Sequence, residues 1–129
     1  MTPEQAVNLY ERECRARFRY IPDLPNWDEW DTADEFEQRG GGDCDGFSLW
    51  TLAKAWSECP EPDRYWMVIG ETSMGWHAWC EIRYPDRRLW ADPTWGYPCG
   101  PPSHFSHVPY EAHPIKGRLL GPSTRYQQE

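Results

Sequence analysis

Three residues of the chain have the side-chain types that can form a thiol nucleophile. They are Cys44 in Gly42-Asp43-Cys44-Asp45-Gly46, His77 in Gly75-Trp76-His77-Ala78-Trp79, and Asp92 in Trp90-Ala91-Asp92-Pro93-Thr94. A cysteine attacks a carbonyl carbon as the thiolate, an imidazole accepts the thiol proton, and a carboxylate orients the imidazole. These residue types therefore predict acyl transfer through a thioester, provided that the fold brings them together.

The sequence around Cys44 is typical of a helix N-terminus. A helix is predicted from about Cys44 to Glu58, where apolar residues recur at helical spacing. The helix dipole and the unpaired N–H groups at such an end stabilise a thiolate and can donate to an oxyanion. Asp43 and Asp45 oppose this effect, because flanking carboxylates raise the pKa of a thiol. The alternative interpretation of Cys44 is a buried structural cysteine.

His77 and Asp92 fall on two strands of a predicted hairpin. If the hairpin turns near Tyr84 to Asp86, the numbers of facing residues sum to about 169 to 171, and either odd sum places both side chains on one face of the sheet. A sum of 169 puts Asp92 opposite His77, and a sum of 171 puts it on the diagonal. The alternative is a core histidine beside a turn aspartate that precedes Pro93.

The remaining elements are those needed to position this hairpin and the cysteine helix. A first helix is predicted from Thr2-Pro3 to about Arg17, and a capping box at Thr32 starts a short helix through Gln38. The predicted strands are Tyr65–Gly70, Trp76–Tyr84 and Leu89–Asp92. We expect one α+β domain over residues 1–129, with its core at about residues 20–96 and a Pro/Gly-rich tail of loops over residues 97–129.

Composition excludes several classes of function. The 129 residues suffice for one domain, and a formal net charge of −8 repels phosphates and argues against a nucleic-acid partner. No segment has the roughly 18 apolar residues of a membrane span, and the first twenty residues lack the apolar core of a signal peptide. Five cysteines form no disulfide pattern. We therefore expect a reduced, cytoplasmic protein that does not bind membranes; the oligomeric state is not predicted.

The motifs around the three residues resemble those of a known family. The chain contains Gly42-Asp43-Cys44, His77-Ala78-Trp79-Cys80-Glu81 and Asp92-Pro93-Thr94, and the upstream run from Trp30 to Phe36 is also similar. Over about residues 20 to 96 it resembles the transglutaminase-like superfamily, and in particular the bacterial transglutaminase-like cysteine proteinases. The resemblance implies an abbreviated papain-like, transglutaminase-core fold, in which a cysteine-bearing helix packs on a small antiparallel sheet.

The resemblance also implies a role for each residue. Cys44 would be the nucleophile, His77 the general base and acid, and Asp92 the residue that orients the imidazole. The expected function is a thiol-dependent hydrolase of peptide, isopeptide or side-chain amide bonds, with a protein or peptide substrate. The alternatives are a transglutaminase, in which an amine resolves the thioester, and a non-catalytic peptide-binding or assembly module of the same fold.

No cofactor is required by this chemistry, but calcium is compatible with the resemblance. Acidic residues that flank the cysteine bind calcium in some bacterial relatives, and Asp43 and Asp45 match those positions. A cation there would cancel negative charge beside the thiolate. Gly46 and Thr51 depart from the pattern of those proteinases, which often have an acidic residue and a lysine at these positions.

Other aromatic, cysteine and histidine residues are further candidates for the site. A second oxyanion donor is expected from a side chain near Tyr20, Asn26 or Trp27, with Trp27 preferred, and Trp76 and Trp79 are expected to line a substrate cleft. The alternative is that the three tryptophans fill the core or lie on the surface. A further group of one cysteine and three histidines could in principle bind zinc. We do not favour this interpretation, because the spacing of these residues matches no compact zinc module. That group consists of Cys99, His104, His107 and His113.

Overall fold

The computed structural model describes residues 1–22, 30–116, 119–120 and 122–126, without the side chains of 119 and 120. Its helices are α1 (Pro3–Arg17), α2 (Ala33–Arg39), α3 (Cys44–Glu58) and a 3₁₀ turn (Pro102–His104). Its strands are β1 (Arg19–Tyr20), β2 (Gly41–Gly42), β3 (Tyr65–Thr72), β4 (Gly75–Arg83), β5 (Arg88–Asp92), β6 (Tyr97–Gly100), β7 (Val108–Lys116), β8 (Leu119–Leu120) and β9 (Thr124–Arg125).

Helix α3 has the bounds that the sequence predicts. Asp43 is its N-cap residue, with an extended backbone and a side chain that accepts a hydrogen bond from the Gly46 N–H. One face of α3 is anchored to β4, because the Ser48 hydroxyl donates to the Ala78 carbonyl at 3.3 Å and the Cys80 thiol donates to the Ser48 carbonyl at 3.6 Å. The N-terminus of α3, and Cys44 with it, is thereby fixed beside the start of β4.

The glycines before Cys44 allow a close backbone approach. Gly40 ends α2 in the left-handed conformation. Gly41 has a φ of 152°, and a Cβ at this position would lie 1.9 Å from the Arg19 carbonyl oxygen. Only glycine fits there, and the result is a short parallel pairing of β1 with β2 that places Tyr20 beside Gly42.

The hairpin register confirms that His77 and Asp92 share one face of the sheet. Strands β4 and β5 are antiparallel, with Cys80 opposite Ala91 and Ile82 opposite Leu89. These pairs sum to 171, so Asp92 lies on the diagonal from His77, and side-chain alternation puts the two on the same side. The sheet order is β6-β5-β4-β3-β7-β8, and β9 also pairs with β7. The predicted α+β class, with the cysteine helix on an antiparallel sheet, is confirmed.

The expected loop tail was wrong at Tyr97–Gly100 and Val108–Lys116, which form strands β6 and β7. Strand β7 pairs with β3 inside the sheet and buries Ala112 and Ile115. Pro109 and Pro114 interrupt the period-2 pattern of β7, and prolines are typical of edge strands and loops, so the sequence did not indicate a strand here. The pairing of β7 with β3 is also irregular, because its register shifts between Ile69 and Gly70. The core therefore extends beyond residues 20–96.

Among the described residues, no helix combines the length and apolar character that a membrane crossing requires.

Candidate active site

The structure brings His77 and Asp92 into direct contact. His77 lies near the start of β4 and Asp92 at the end of β5, and the distance from His77 Nε2 to Asp92 Oδ2 is 2.7 Å. Both side chains are buried. Because Nε2 faces the carboxylate, Nδ1 is the ring nitrogen that would exchange a proton with a reacting group.

Four donors among the described residues hydrogen-bond to Asp92. In addition to His77, the Nε2 of His107 lies 3.1 Å from Oδ2, and the backbone N–H groups of Thr94 and Trp95 donate to Oδ1 at 3.1 and 3.2 Å. Burial on its own would raise the pKa of Asp92, but the hydrogen bonds from His107 and His77 outweigh it and hold this pKa below its usual value. Asp92 therefore stays ionised and can orient an imidazole.

His107 is a site residue that the sequence analysis did not identify. It lies in the segment expected to be a loop, its side chain is buried, and its Nδ1 has no hydrogen-bond partner among the described residues. The only sequence signal was its membership in the zinc hypothesis. Instead of that group, the described residues gather His77, Asp92 and His107, whose ligating atoms lie within 4.8 Å of one another.

The proposed zinc group is dispersed in the structure. His104 is exposed, the Cys99 backbone N–H donates a hydrogen bond to Asn8 Oδ1 in α1, and His113 contacts Glu111 and the ring of Trp30. Each of these residues thus has its own surroundings, and the spacing argument against a compact zinc module agrees with this placement.

Trp95 is a second contact that the sequence analysis missed. Its ring stacks on the His77 imidazole, with centroids 4.2 Å apart and planes inclined by 14°. A turn closed by the Gly96 N–H and the Asp92 carbonyl, together with the Trp95 N–H bond to Asp92, holds the ring there. The stack therefore fixes the plane of the His77 imidazole against the Trp95 ring.

The three tryptophans expected at the cleft have different positions. Trp76 is 67% exposed and lines a pocket beside His77. Trp79 is fully buried, with its ring against Trp90 at 5.1 Å, so it fills the core behind His77 and does not line a cleft. Trp27 lies outside the described residues. Of the three, only Trp76 is described at a cleft surface.

Cys44 lies at the start of α3, with its sulfur against the Ala78 N–H next to His77. Burial raises the pKa of this thiol to about 12; the Ala78 N–H opposes the rise, and Asp43, Asp45 and Asp92 add to it. This differs from the lowered pKa that a helix N-terminus favours, because desolvation and three carboxylates raise the pKa of Cys44. No hydrogen bond between Cys44 and His77 occurs among those of the described residues.

Asp43 and Asp45 flank this thiol at the N-terminus of α3. Asp43 is buried, and its Oδ1 accepts from the Gly46 N–H. Calcium takes six to eight oxygen ligands, and among the described residues no third His, Cys, Asp or Glu side chain forms a cluster with these two. The two carboxylates supply hard oxygen donors of the right kind, so they match part of a calcium site.

His107→Phe tests the contribution of the second imidazole to this cluster. The substitution keeps an aromatic ring but removes one of the four donors to the buried Asp92 carboxylate. We expect the free energy of unfolding to fall by about 1 to 3 kcal/mol, measured by urea denaturation. The matched control is His104→Phe, at an exposed histidine on the same segment. Equal effects of the two substitutions would contradict the role of the His107–Asp92 hydrogen bond.

Comparison with known proteins supports the fold. No protein-family model and no curated protein sequence matches the chain. Solved structures of Legionella pneumophila LapG do match. One has a TM-score of 0.77 and 17% identity over 92% of this chain and 69% of LapG. Calcium-bound LapG matches with a TM-score of 0.70 and 18% identity, covering 97% of this chain and 70% of that structure. EGTA-treated LapG matches with a TM-score of 0.69 and 17% identity, covering 92% of this chain and 69% of that structure. At this identity the match shows a common fold.

Proposed function

We propose that the protein is a thiol-dependent hydrolase of peptide, isopeptide or side-chain amide bonds. The observation that carries the proposal is the buried hydrogen bond from His77 to Asp92, next to a cysteine at a helix N-terminus. The fold shared with LapG, which is a transglutaminase-like cysteine protease fold, supports it. Cys44 would be the nucleophile, His77 the base and acid, and Asp92 the orienting carboxylate.

The reaction would proceed in two stages. Nδ1 of His77 takes the Cys44 proton as the sulfur attacks the substrate carbonyl carbon, and Asp92 stabilises the imidazolium through Nε2. The Cys44 N–H, at the start of α3, is a candidate donor to the oxyanion. As the C–N bond breaks, the leaving amine takes the proton from His77. Water then attacks the thioester carbon and gives a proton to His77. The C–S bond breaks, His77 returns the proton to the sulfur, and the acid product leaves.

The raised pKa of Cys44 is the main electrostatic demand on this mechanism. A neutral thiol beside three carboxylates needs positive charge before it becomes a thiolate. The imidazolium that forms when His77 takes the thiol proton supplies one such charge. The thiol and imidazole must also approach each other, and catalytic hydrogen bonds often tighten only when substrate is bound.

Calcium is the second source of positive charge in the proposal. Asp43 and Asp45 would hold the ion, together with oxygen atoms beyond this pair, because calcium needs more ligands than they provide. When bound, the ion would supply charge compensation beside the thiol and lower its pKa. The neighbour described as calcium-bound LapG supports this part of the proposal.

A non-catalytic peptide-binding module is the second candidate. The observation that favours it is again the pKa of Cys44, since a buried protonated thiol is unreactive. The two candidates differ in what Cys44 does: a binding module would keep its biological activity in a Cys44→Ala variant, and a hydrolase would lose it.

Acyl transfer is tested with p-nitrophenyl acetate, whose good leaving group makes few demands on substrate fit. We expect an acetyl thioester at Cys44, found by peptide mass, which hydrolyses on standing at neutral pH and releases p-nitrophenolate with each turnover. The control is Cys59→Ala, because Cys59 is a partly buried thiol at the other end of α3 and its loss should leave the acylation unchanged. Acetylation of other thiols with none at Cys44 would contradict the proposal.

A further inference from the structure

Exposed apolar side chains concentrate around His77. Apart from Met1, the large apolar side chains that the described residues expose are Tyr20, Met74, Trp76, Trp95, Tyr97, Val108 and Tyr110. They form one surface, because Trp76 contacts the Tyr110 ring at 5.4 Å and lies across Glu71 from Val108. Trp95 likewise contacts Tyr97. An exposed apolar patch of this kind is a place where a binding pocket is expected.

Part of this surface is a pocket with His77 in its wall. Its volume is about 360 Å³, and it is lined by Tyr20, Thr72, Met74, Trp76, His77, Thr94 and Trp95. This is at the small end of ligand pockets, which run from about 300 to 1,000 Å³. The size suits one or two side chains of an extended peptide.

The pocket has no lining Asp, Glu, Lys or Arg among the described residues, although these types make up 26% of the chain. A charged substrate side chain would therefore lose its hydration without gaining an ionic partner. An apolar side chain would instead bury its surface against the rings of Trp76 and Trp95. The lining thus discriminates between the two kinds of substrate residue.

Two turns hold the walls of the pocket in place. The Thr72 hydroxyl donates to the Gly75 carbonyl and accepts from the Met74 N–H, both at 3.1 Å, which fixes the tip of the β3–β4 hairpin. On the other side, the Trp95 N–H bond to Asp92 and the stack on His77 fix the Trp95 ring. A pocket formed before the substrate binds requires less ordering on binding.

We propose that this pocket is a specificity site that takes an uncharged apolar side chain of an extended peptide, next to the bond that Cys44 attacks; this rests on the proposed function. His77 connects the pocket to the proposed catalytic residues, because it lines the pocket and also hydrogen-bonds Asp92. The peptide backbone would pass between the hairpin tip and Trp95, with the apolar side chain between Trp76 and Trp95.

The test uses peptidyl vinyl sulfones that differ only in having leucine, glycine or glutamate at each of the two residues next to the electrophile. The rate at which each peptidyl vinyl sulfone modifies Cys44 is measured by mass spectrometry of the Cys44 peptide. We expect leucine to exceed glycine by about 10- to 100-fold at one position, and glutamate to be slower than glycine. In Trp76→Ala the ratio of leucine to glycine should fall to near one, and Trp76→Phe should retain part of it.

Val108→Ala is the matched control, because Val108 is exposed on the same surface but outside the pocket; its leucine-to-glycine ratio should be that of the parent protein. Two outcomes would overturn the proposal: equal leucine and glutamate rates, or an equal loss of selectivity in Val108→Ala and Trp76→Ala. If either outcome occurs while iodoacetamide still labels Cys44 selectively in the parent protein, the pocket proposal is wrong and the proposed role of Cys44 is unaffected.

Failure of the catalytic proposal has a different signature. If no electrophile labels Cys44 selectively, calorimetric titration of the Cys44→Ala variant with the leucine and glutamate peptide amides still measures the pocket. Preferential binding of the leucine peptide, lost in the Cys44→Ala, Trp76→Ala double variant, would support the pocket in a binding module. Equal binding of the two peptides would overturn it.

Discussion

Replacing His77 by alanine is expected to slow the acylation of Cys44 by p-nitrophenyl acetate about 10²- to 10⁴-fold, the usual contribution of a general base. The physical reason is the pKa of Cys44, which burial raises to about 12. Without the imidazole, the group proposed to take the thiol proton as the sulfur attacks is missing. Release of p-nitrophenolate and the mass of the Cys44 peptide measure the effect.

The control for this substitution is His113→Ala. His113 is also a buried histidine with a carboxylate partner, Glu111, but it lies on β7 against Trp30. The His113→Ala variant also loses a buried imidazole, but the hydrogen bonds to Asp92 stay intact. If His77→Ala acylates at the parent rate, or if His113→Ala loses as much, His77 is not the base. Partial rescue of His77→Ala by added imidazole would further support the proton-transfer role.

Replacing Asp92 by alanine is expected to lower the free energy of unfolding by about 3 to 5 kcal/mol. The fully buried carboxylate accepts from two imidazoles and two backbone N–H groups, and alanine leaves all four donors without this acceptor. Asp92→Asn should be milder, because an amide oxygen still accepts. Urea denaturation at pH 7 measures both, and Asp86→Asn at the exposed turn is the control, with little effect expected.

The contribution of Asp92 to stability also has a definite pH dependence. Its pKa in the folded protein is lowered: burial opposes the shift, and the His107 and His77 hydrogen bonds outweigh it. A lowered folded pKa contributes stability above the unfolded pKa of about 3.9, and the contribution is lost as the pH falls through the folded value. The stability difference between the parent protein and Asp92→Asn should therefore narrow below about pH 4. A difference that widens there would contradict the hydrogen-bond account.

The parts of the site that local sequence determines were predicted correctly. The bounds of α3 follow from the Asp43 cap and the apolar spacing after it, which are local signals. The hairpin register follows from a short turn after Tyr84, and this fixes His77 and Asp92 on one face. Both predictions depend on residues within about fifteen positions of one another.

The parts that depend on long-range packing were not predicted. His107 reaches Asp92 because the chain before β7 returns to the sheet, and the prolines of β7 concealed that strand. The pKa of Cys44 depends on burial and on the nearby Asp92, which its local sequence does not reveal. Trp76 and Trp79 were treated alike, although strand alternation and the sheet order expose the first and bury the second. In each case the missing information is which distant segment covers the residue.

The most direct test of the central claim is the pH dependence of alkylation at each thiol, mapped by peptide mass, with calcium and with EGTA. We predict that Cys44 reacts faster with iodoacetamide than Cys59 or Cys99 at pH 6 to 7, that calcium increases its rate, and that Asp45→Asn removes the calcium effect. Cys44 reacting no faster than Cys59 at every pH, with or without calcium, would contradict the assignment of Cys44 as the nucleophile.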